Sequence, residues 1–145
     1  MSRVKTAKTA LLTLCLAMGQ LALPTHAAQS KDPKIYAHRG GAKWAPENTM
    51  AAFRKCKENG VYGIELDIQR CKTGELVVIH DEDLKRTTNG TGLIKDTSYA
   101  DLSKLDAGSW FGEQFKNERV PLLSDVLKLL DGKVVEGNVP AQALL

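Results

Sequence analysis

Glu65 and Asp67 stand two residues apart in a run, Tyr62 to Gln69, that alternates apolar and polar side chains. Alternation at period two marks a strand, and residues two apart on a strand share a face. One face carries Ile64, Leu66 and Ile68; the other carries Glu65, Asp67 and Gln69. Two carboxylates on one face repel unless positive charge lies between them. A hard divalent cation, Mg²⁺ or Ca²⁺, takes carboxylate oxygens and satisfies that need; a solvated strand face is the plain alternative.

Leu76 to His80 reads as a second strand. The connector around Thr73-Gly74 is too short for a parallel crossover, so the two strands form a hairpin or belong to different layers. With Thr73-Gly74 as a two-residue loop, Asp67 falls opposite His80 and Glu65 opposite Glu82, which places His80 beside the carboxylates. A slip of one residue would turn His80 to the other face. His38 closes a short apolar run, Ile35 to Ala37, and is followed by Arg39-Gly40-Gly41. In parallel α/β folds the carboxyl end of a strand is where reacting groups collect. An arginine there, with glycines permitting close backbone approach, suits an anionic phosphate.

These groups need a scaffold. Pro46-Glu47-Asn48-Thr49 opens a helix with Asn48 as the expected N-cap, Ala52, Phe53 and Cys56 on its buried face, and Gly60 as its left-handed stop. Residues 81–117 are polar and turn-rich, with a short helix expected from Ser98 to Leu105. A helix over Leu123 to Leu130 presents Val126, Leu127 and Leu130, and Lys133-Val134-Val135 begins another strand that Gly137-Asn138-Val139-Pro140 is expected to break. Strand, helix, strand, excursion, helix, strand is an α/β order built on parallel units.

Together, His38-Arg39-Gly40, Pro46-Glu47-Asn48-Thr49, Glu65-Leu66-Asp67, His80-Asp81, Arg86-Thr87-Thr88 and Val120-Pro121-Leu122-Leu123 follow one order and spacing. In these the chain resembles the glycerophosphodiester phosphodiesterase family, over roughly Lys34 to Leu130. The resemblance implies the N-terminal portion of a (β/α)8 TIM-type barrel with a small inserted subdomain at about 81–117. It implies Glu65 and Asp67 as ligands of one divalent metal, Ca or Mg. It makes His38 and His80 the acid and base, in either order, and Arg39 the phosphate contact. The implied substrates are glycerophosphodiesters, cleaved to glycerol 3-phosphate and an alcohol by water or through a cyclic phosphate. A phosphate-binding module without turnover, and a related barrel phospholipase acting on lysophospholipid or sphingomyelin, are the competing readings. In the family the strand after residue 130 carries a Glu-x-Lys pair, the third metal ligand and a substrate-contacting lysine. Glu136 has the matching type but no lysine stands two residues on, so no third ligand is assigned.

Charge excludes a nucleic-acid partner. The formal net charge of +3 arises from Arg3, Lys5 and Lys8, and the remainder carries equal numbers of acidic and basic residues. That basic start, the apolar run Ala10 to Leu23 and the small residues Ala27-Ala28 read as a signal peptide over 1–27, so an exported, periplasmic or secreted protein is expected. The run falls short of the about 20 apolar residues of a membrane span; an uncleaved anchor and a lipoprotein through Cys15 are the alternatives. Export permits a Cys56–Cys71 disulfide, and two unpaired thiols are the equal alternative. The expected layout is signal peptide 1–27, linker 28–34, partial phosphodiesterase domain 35–135 and an atypical tail 136–145, read as a shifted frame or artificial end. A (β/α)8 barrel runs to about 250 residues, so low stability and little turnover are expected of this polypeptide alone.

Overall fold

β2, Gly63–Arg70, organises the sheet. The computed structural model describes residues 33–139, all within one unit, Asp32–Leu145. The expected signal peptide, residues 28–32 of the linker and residues 140–145 of the tail lie outside the described residues. On β2 the expected alternation holds: Ile64, Leu66 and Ile68 are buried against helices, and Glu65, Asp67 and Gln69 share the opposite face.

β1, Tyr36–Ala37, pairs parallel with β2 through Tyr36↔Gly63 and Ala37↔Ile64. β4, Val134–Asn138, also pairs parallel with β2, from Gly63↔Val134 to Asp67↔Asn138. The strand therefore runs through Gly137 and does not break there; cross-strand hydrogen bonding along β2 outweighs the weak strand preference of glycine and asparagine. It also passes the expected boundary at residue 135. Tyr36 lies across Gly63, where any Cβ would stand 2.4 Å from its ring, so this crossing requires glycine.

α1, Met50–Glu58, connects β1 to β2. Its N-cap is Thr49, whose hydroxyl accepts from the Ala52 N–H at 3.4 Å, and not Asn48, which is committed elsewhere. Ala52, Phe53 and Cys56 are its buried face as expected. Gly60 at φ 64 stops it, with Val61 N–H donating to Cys56 O. α3, Leu123–Leu129, precedes β4 and buries Val126, with Leu130 just beyond it; Leu127, expected on the same stripe, is 47% exposed. At 100° per residue Leu127 points away from Val126, and the buried stripe is narrower than the sequence implied.

β3, Leu76–Val78, pairs antiparallel with the end of β2, so these strands form a hairpin. Between β3 and α3 the chain makes 3-10 turns at Ile94–Asp96 and Glu113–Phe115 and one four-residue helix, α2, Tyr99–Leu102, capped by Ser98. Two hydrophobic cores result. One joins Ala37, Phe53, Cys56, Ile64, Leu66, Ile68, Val126 and Leu130 behind the parallel strands. The other joins Cys71, Val77, Ile79, Leu84, Ile94, Leu102, Ala107 and Val120 under the excursion. Cys56 and Cys71 are both buried and unpaired, one in each core, so the unpaired alternative holds.

Candidate active site

The loop from β1 to α1 is held in an uncommon conformation. Arg39 and Asn48 both have left-handed backbones, φ 50 and φ 57, and Asn48 N–H donates to Arg39 O at 2.9 Å. For a residue with a Cβ this costs on the order of 1–3 kcal/mol and persists only where surrounding contacts over-determine it. Those contacts are here. Arg39 N–H donates to Glu65 Oε2 at 2.8 Å, which fixes the first strand's end to the acidic face of β2. Asn48 donates from Nδ2 to Asp67 Oδ2 at 2.9 Å. Gly40 sits at φ 72 against Phe53, with room for no side chain.

Four of the five expected site residues therefore meet directly. His38 Nε2 lies 4.0 Å from Glu65 Oε2, its ring largely exposed at the lip. The Arg39 guanidinium enters below it: Nη1 donates to Glu47 Oε1 at 3.0 Å, and Nε stands 3.8 Å from Asp67 Oδ2, buried and without a hydrogen-bond partner. Asp67 is 4% exposed, and its second oxygen accepts from Asn138 Nδ2 at 3.3 Å. The positive charge beside Asp67 is thus supplied by Arg39.

His80 arrives by a different route from the one expected. The hairpin loop has three residues, Lys72-Thr73-Gly74, closed by Cys71 N–H to Glu75 O and by Gly74 N–H to Cys71 O, with Gly74 at φ 97. A three-residue loop with a left-handed glycine shifts the register by one residue. The pairs are Ile68↔Val78, Gln69↔Val77 and Arg70↔Leu76, and Ile79 N–H meets Asp67 O. Asp67 is therefore not opposite His80. But β3 ends at Val78, so strand alternation no longer governs His80, and Gln69 Nε2 on the acidic face donates to His80 O at 3.1 Å.

The His80 ring is then tied to the others through charged groups. His80 Nδ1 is 2.6 Å from Asp81 Oδ1. Arg86 grips both Asp81 oxygens, through Nε at 2.6 Å and Nη2 at 2.9 Å. It also grips both Glu47 oxygens, through Nη1 at 3.0 Å and Nη2 at 2.8 Å, and Glu47 holds Arg39. Arg86, opposed by partial burial and helped by His80, holds the Asp81 carboxyl well below the usual carboxylate range. Burial works to raise Glu47, but Arg86 and then Arg39 outweigh it and lower its pKa.

Carboxylate donors suit a hard divalent cation. Glu65 and Asp67 share a face, and β4 brings Glu136 into register with Glu65 and Asn138 with Asp67. Among the described residues, no three His, Cys, Asp or Glu side chains converge as a metal centre.

The sequence profile of the Glycerophosphoryl diester phosphodiesterase family matches residues 38–141, which takes in every residue of this network. The chain belongs to that family. A glycerophosphodiester phosphodiesterase from Caldanaerobacter subterraneus subsp. tengcongensis is 54% identical over 99 residues, 68% of this chain and 41% of the relative. The glycerophosphodiester phosphodiesterase structure from Agrobacterium tumefaciens aligns with a TM-score of 0.70 at 44% identity, covering 73% of this chain and 46% of that one. An Oleispira antarctica phosphodiesterase, solved with its product sn-glycerol-3-phosphate, aligns with a TM-score of 0.73 at 36% identity, over 74% of this chain and 44% of that one. The chain thus spans about two fifths or less of the length of the curated relatives it matches. Its parallel strands with intervening helices are part of the family's (β/α)8 barrel.

Glu47, Asp81 and Arg86 stand in the family motifs without a role assigned to them, and Asn138 stands outside them. Asn48 was read as a helix cap; that Thr49 beside it serves equally well as a cap was the signal that Asn48 was free for other work.

Proposed function

We propose that this site performs metal-assisted hydrolysis of glycerophosphodiesters to glycerol 3-phosphate and an alcohol. The observation that carries the reading is the placement of Arg39. Its guanidinium lies between the acidic face of β2 and Glu47, with an unpartnered buried Nε, at the carboxyl ends of the parallel strands.

Each residue contributes a distinct operation. Arg39 offers planar N–H donors to a phosphate oxygen. Glu65 and Asp67 would hold the divalent cation, Ca²⁺ or Mg²⁺, which when bound neutralises a phosphoryl oxygen and orients the reacting hydroxyl. An ionised Asp81 accepts but does not donate, so His80 Nδ1 carries a proton, and in the neutral ring Nε2 then keeps its lone pair. His80 is therefore the proton acceptor from the attacking oxygen, and His38 donates to the leaving alkoxide. Asn48 holds Asp67 in place for this work.

Residues 1–27 are proposed as an export signal, and with it a periplasmic or secreted setting for the protein. Among the described residues no helix is long and apolar enough to cross a membrane.

The test uses the full chain with sn-glycerol 3-phosphate and glycerophosphocholine, each with and without Ca²⁺ or Mg²⁺. Expected are metal-dependent binding of glycerol 3-phosphate and a slow release of glycerol 3-phosphate from the diester, in keeping with the little turnover expected of this polypeptide alone, and lost in His38→Ala and His80→Ala. Binding without release selects the phosphate-binding module. Release from lysophospholipid but not from glycerophosphocholine selects the phospholipase reading. No binding of either compound sinks the proposal.

A further inference from the structure

We infer that Arg86 is a positioning residue for the acid–base pair: by fixing Asp81 it holds His80 as the Nδ1–H tautomer with Nε2 bare, and by fixing Glu47 it sets that ring against Arg39. Arg86 contacts none of the groups that would touch substrate. It acts through two carboxylates, and all three of its guanidinium nitrogens are used in doing so.

The geometry separates this role from ordinary surface pairing. Exposed ion pairs of one point contact contribute little, because both side chains remain free to turn. Here each carboxylate is gripped on both oxygens by one planar group, and such forked pairs define orientation as well as attraction. Asp81 Oδ1 is shared between Arg86 Nη2 and His80 Nδ1, so the carboxylate that orients the ring has its own rotation removed. The remaining side of the ring's attachment is also fixed, since Gln69 holds the His80 carbonyl. Glu47 is 9% exposed at its side chain and accepts from both Arg86 and Arg39 at Oε1. Without Arg86 the Asp81 carboxylate turns freely, and the imidazole loses the partner that selects its tautomer. A lysine at this position would supply charge at a single point and could not fork to two carboxylates.

This inference builds on the proposed role of His80, but its test reads the ring directly and needs no turnover. The full chain is labelled with ¹⁵N-histidine, and long-range ¹H–¹⁵N correlations are recorded where imidazole is neutral. His26, His38 and His80 are assigned by single substitution. In the unaltered chain His80 is expected to favour Nδ1–H by about tenfold or more, the effect of one hydrogen bond to a charged group. In Arg86→Gln that preference falls by roughly tenfold, and Arg86→Lys restores only part of it. An Nε2–H ring in the unaltered chain overturns the inference. So does an unchanged ratio in a folded Arg86→Gln, or in Arg86→Lys if the glutamine variant does not fold. Failure of the glycerol 3-phosphate binding test with the tautomer shift intact would remove the enzyme reading and leave Arg86 in its place.

Discussion

The parallel wall of β1, β2 and β4 and the excursion between β3 and α3 each pack on one core and hold one half of the site, but they are assembled on different principles. The wall is made by pairings distant in sequence: β1 and β4 are nearly one hundred residues apart and both lie on β2. It carries His38, Arg39, Glu65 and Asp67 directly on strands or at their ends. The excursion is made by short turns. Asp106 alone accepts backbone N–H groups from Gly108, Ser109 and Asn117, led by Asn117, and these hold its carboxyl far below the usual range. It delivers His80, Asp81 and Arg86 from a segment with no regular strand. Glu47 joins the halves, and Glu118 joins them again behind the site by accepting Ala51 N–H at 3.0 Å and Arg54 Nη2 at 2.9 Å. The lesson is that orientation within each half is local, whereas the distance between the two imidazoles depends on the pairing of β3 with β2, on the Gln69 bond to the His80 carbonyl and on a few charged clasps.

If the clasps make one cooperative unit, damage to either core should unfold both. Phe53→Ala, in the wall core, is expected to cost about 3–5 kcal/mol, and Leu102→Ala, in the excursion core, about 2–5 kcal/mol. Urea unfolding followed by far-ultraviolet circular dichroism and, in a Trp44→Phe background, by fluorescence of Trp110 should give coincident curves for both variants. Separate midpoints in Leu102→Ala would show the excursion to be an independent unit.

A smaller loss is expected where the wall meets its own loop. Gly40→Ala adds a Cβ 2.6 Å from Phe53 at a left-handed position, and the combined strain and crowding should cost roughly 2–4 kcal/mol. Gly92→Ala, in the excursion at φ 97, adds a Cβ that meets nothing, so it carries the backbone strain alone and should cost less; an equal loss would remove the part assigned to crowding against Phe53.

Acid tests the clasp itself. Asp81 and Glu47 have folded-state pKa values lowered from 3.8 and 4.5. A lowered carboxylate contributes stability in full above its unfolded value and loses it as pH falls through the folded value. Thermal stability should therefore be flat near neutrality and decline below about pH 4.5, and Asp81→Asn should flatten that decline. An identical slope in the variant would detach Asp81 from the stability of the join.

The smallest effect concerns the cysteines. One thiol lies in each core, and burial pushes Cys56 up to about 11. A reducing agent should leave the melting temperature unchanged, and Cys56 should resist thiol reagents near pH 8 until the chain is unfolded. A drop in melting temperature on reduction would mean that the two cores are covalently linked.

How much of this was legible beforehand differs between the halves for the same reason. Alternation from Ile64 to Gln69 sets which side chains share a face, because a strand has a period of two whatever surrounds it. The carboxylate pair, the buried stripe of α1 and the glycine stop at residue 60 follow from such local rules, and so did the motifs that name the family. Where one extra residue in a turn or one choice between adjacent caps decides the outcome, local rules tie. Thr49 took the cap and released Asn48 to Asp67, and Gly74 lengthened the hairpin loop and moved His80 out of register. The sequence by itself determined the parallel α/β class, the residue types of the candidate site and the acidic face of β2. Only the tertiary structure decided that Arg39 lies against Asp67, that β4 continues through Gly137 to bring Asn138 there, and that His80 is reached through Asp81, Arg86 and Glu47. These are contacts between segments distant in the chain, and their energies depend on neighbours that no local pattern contains.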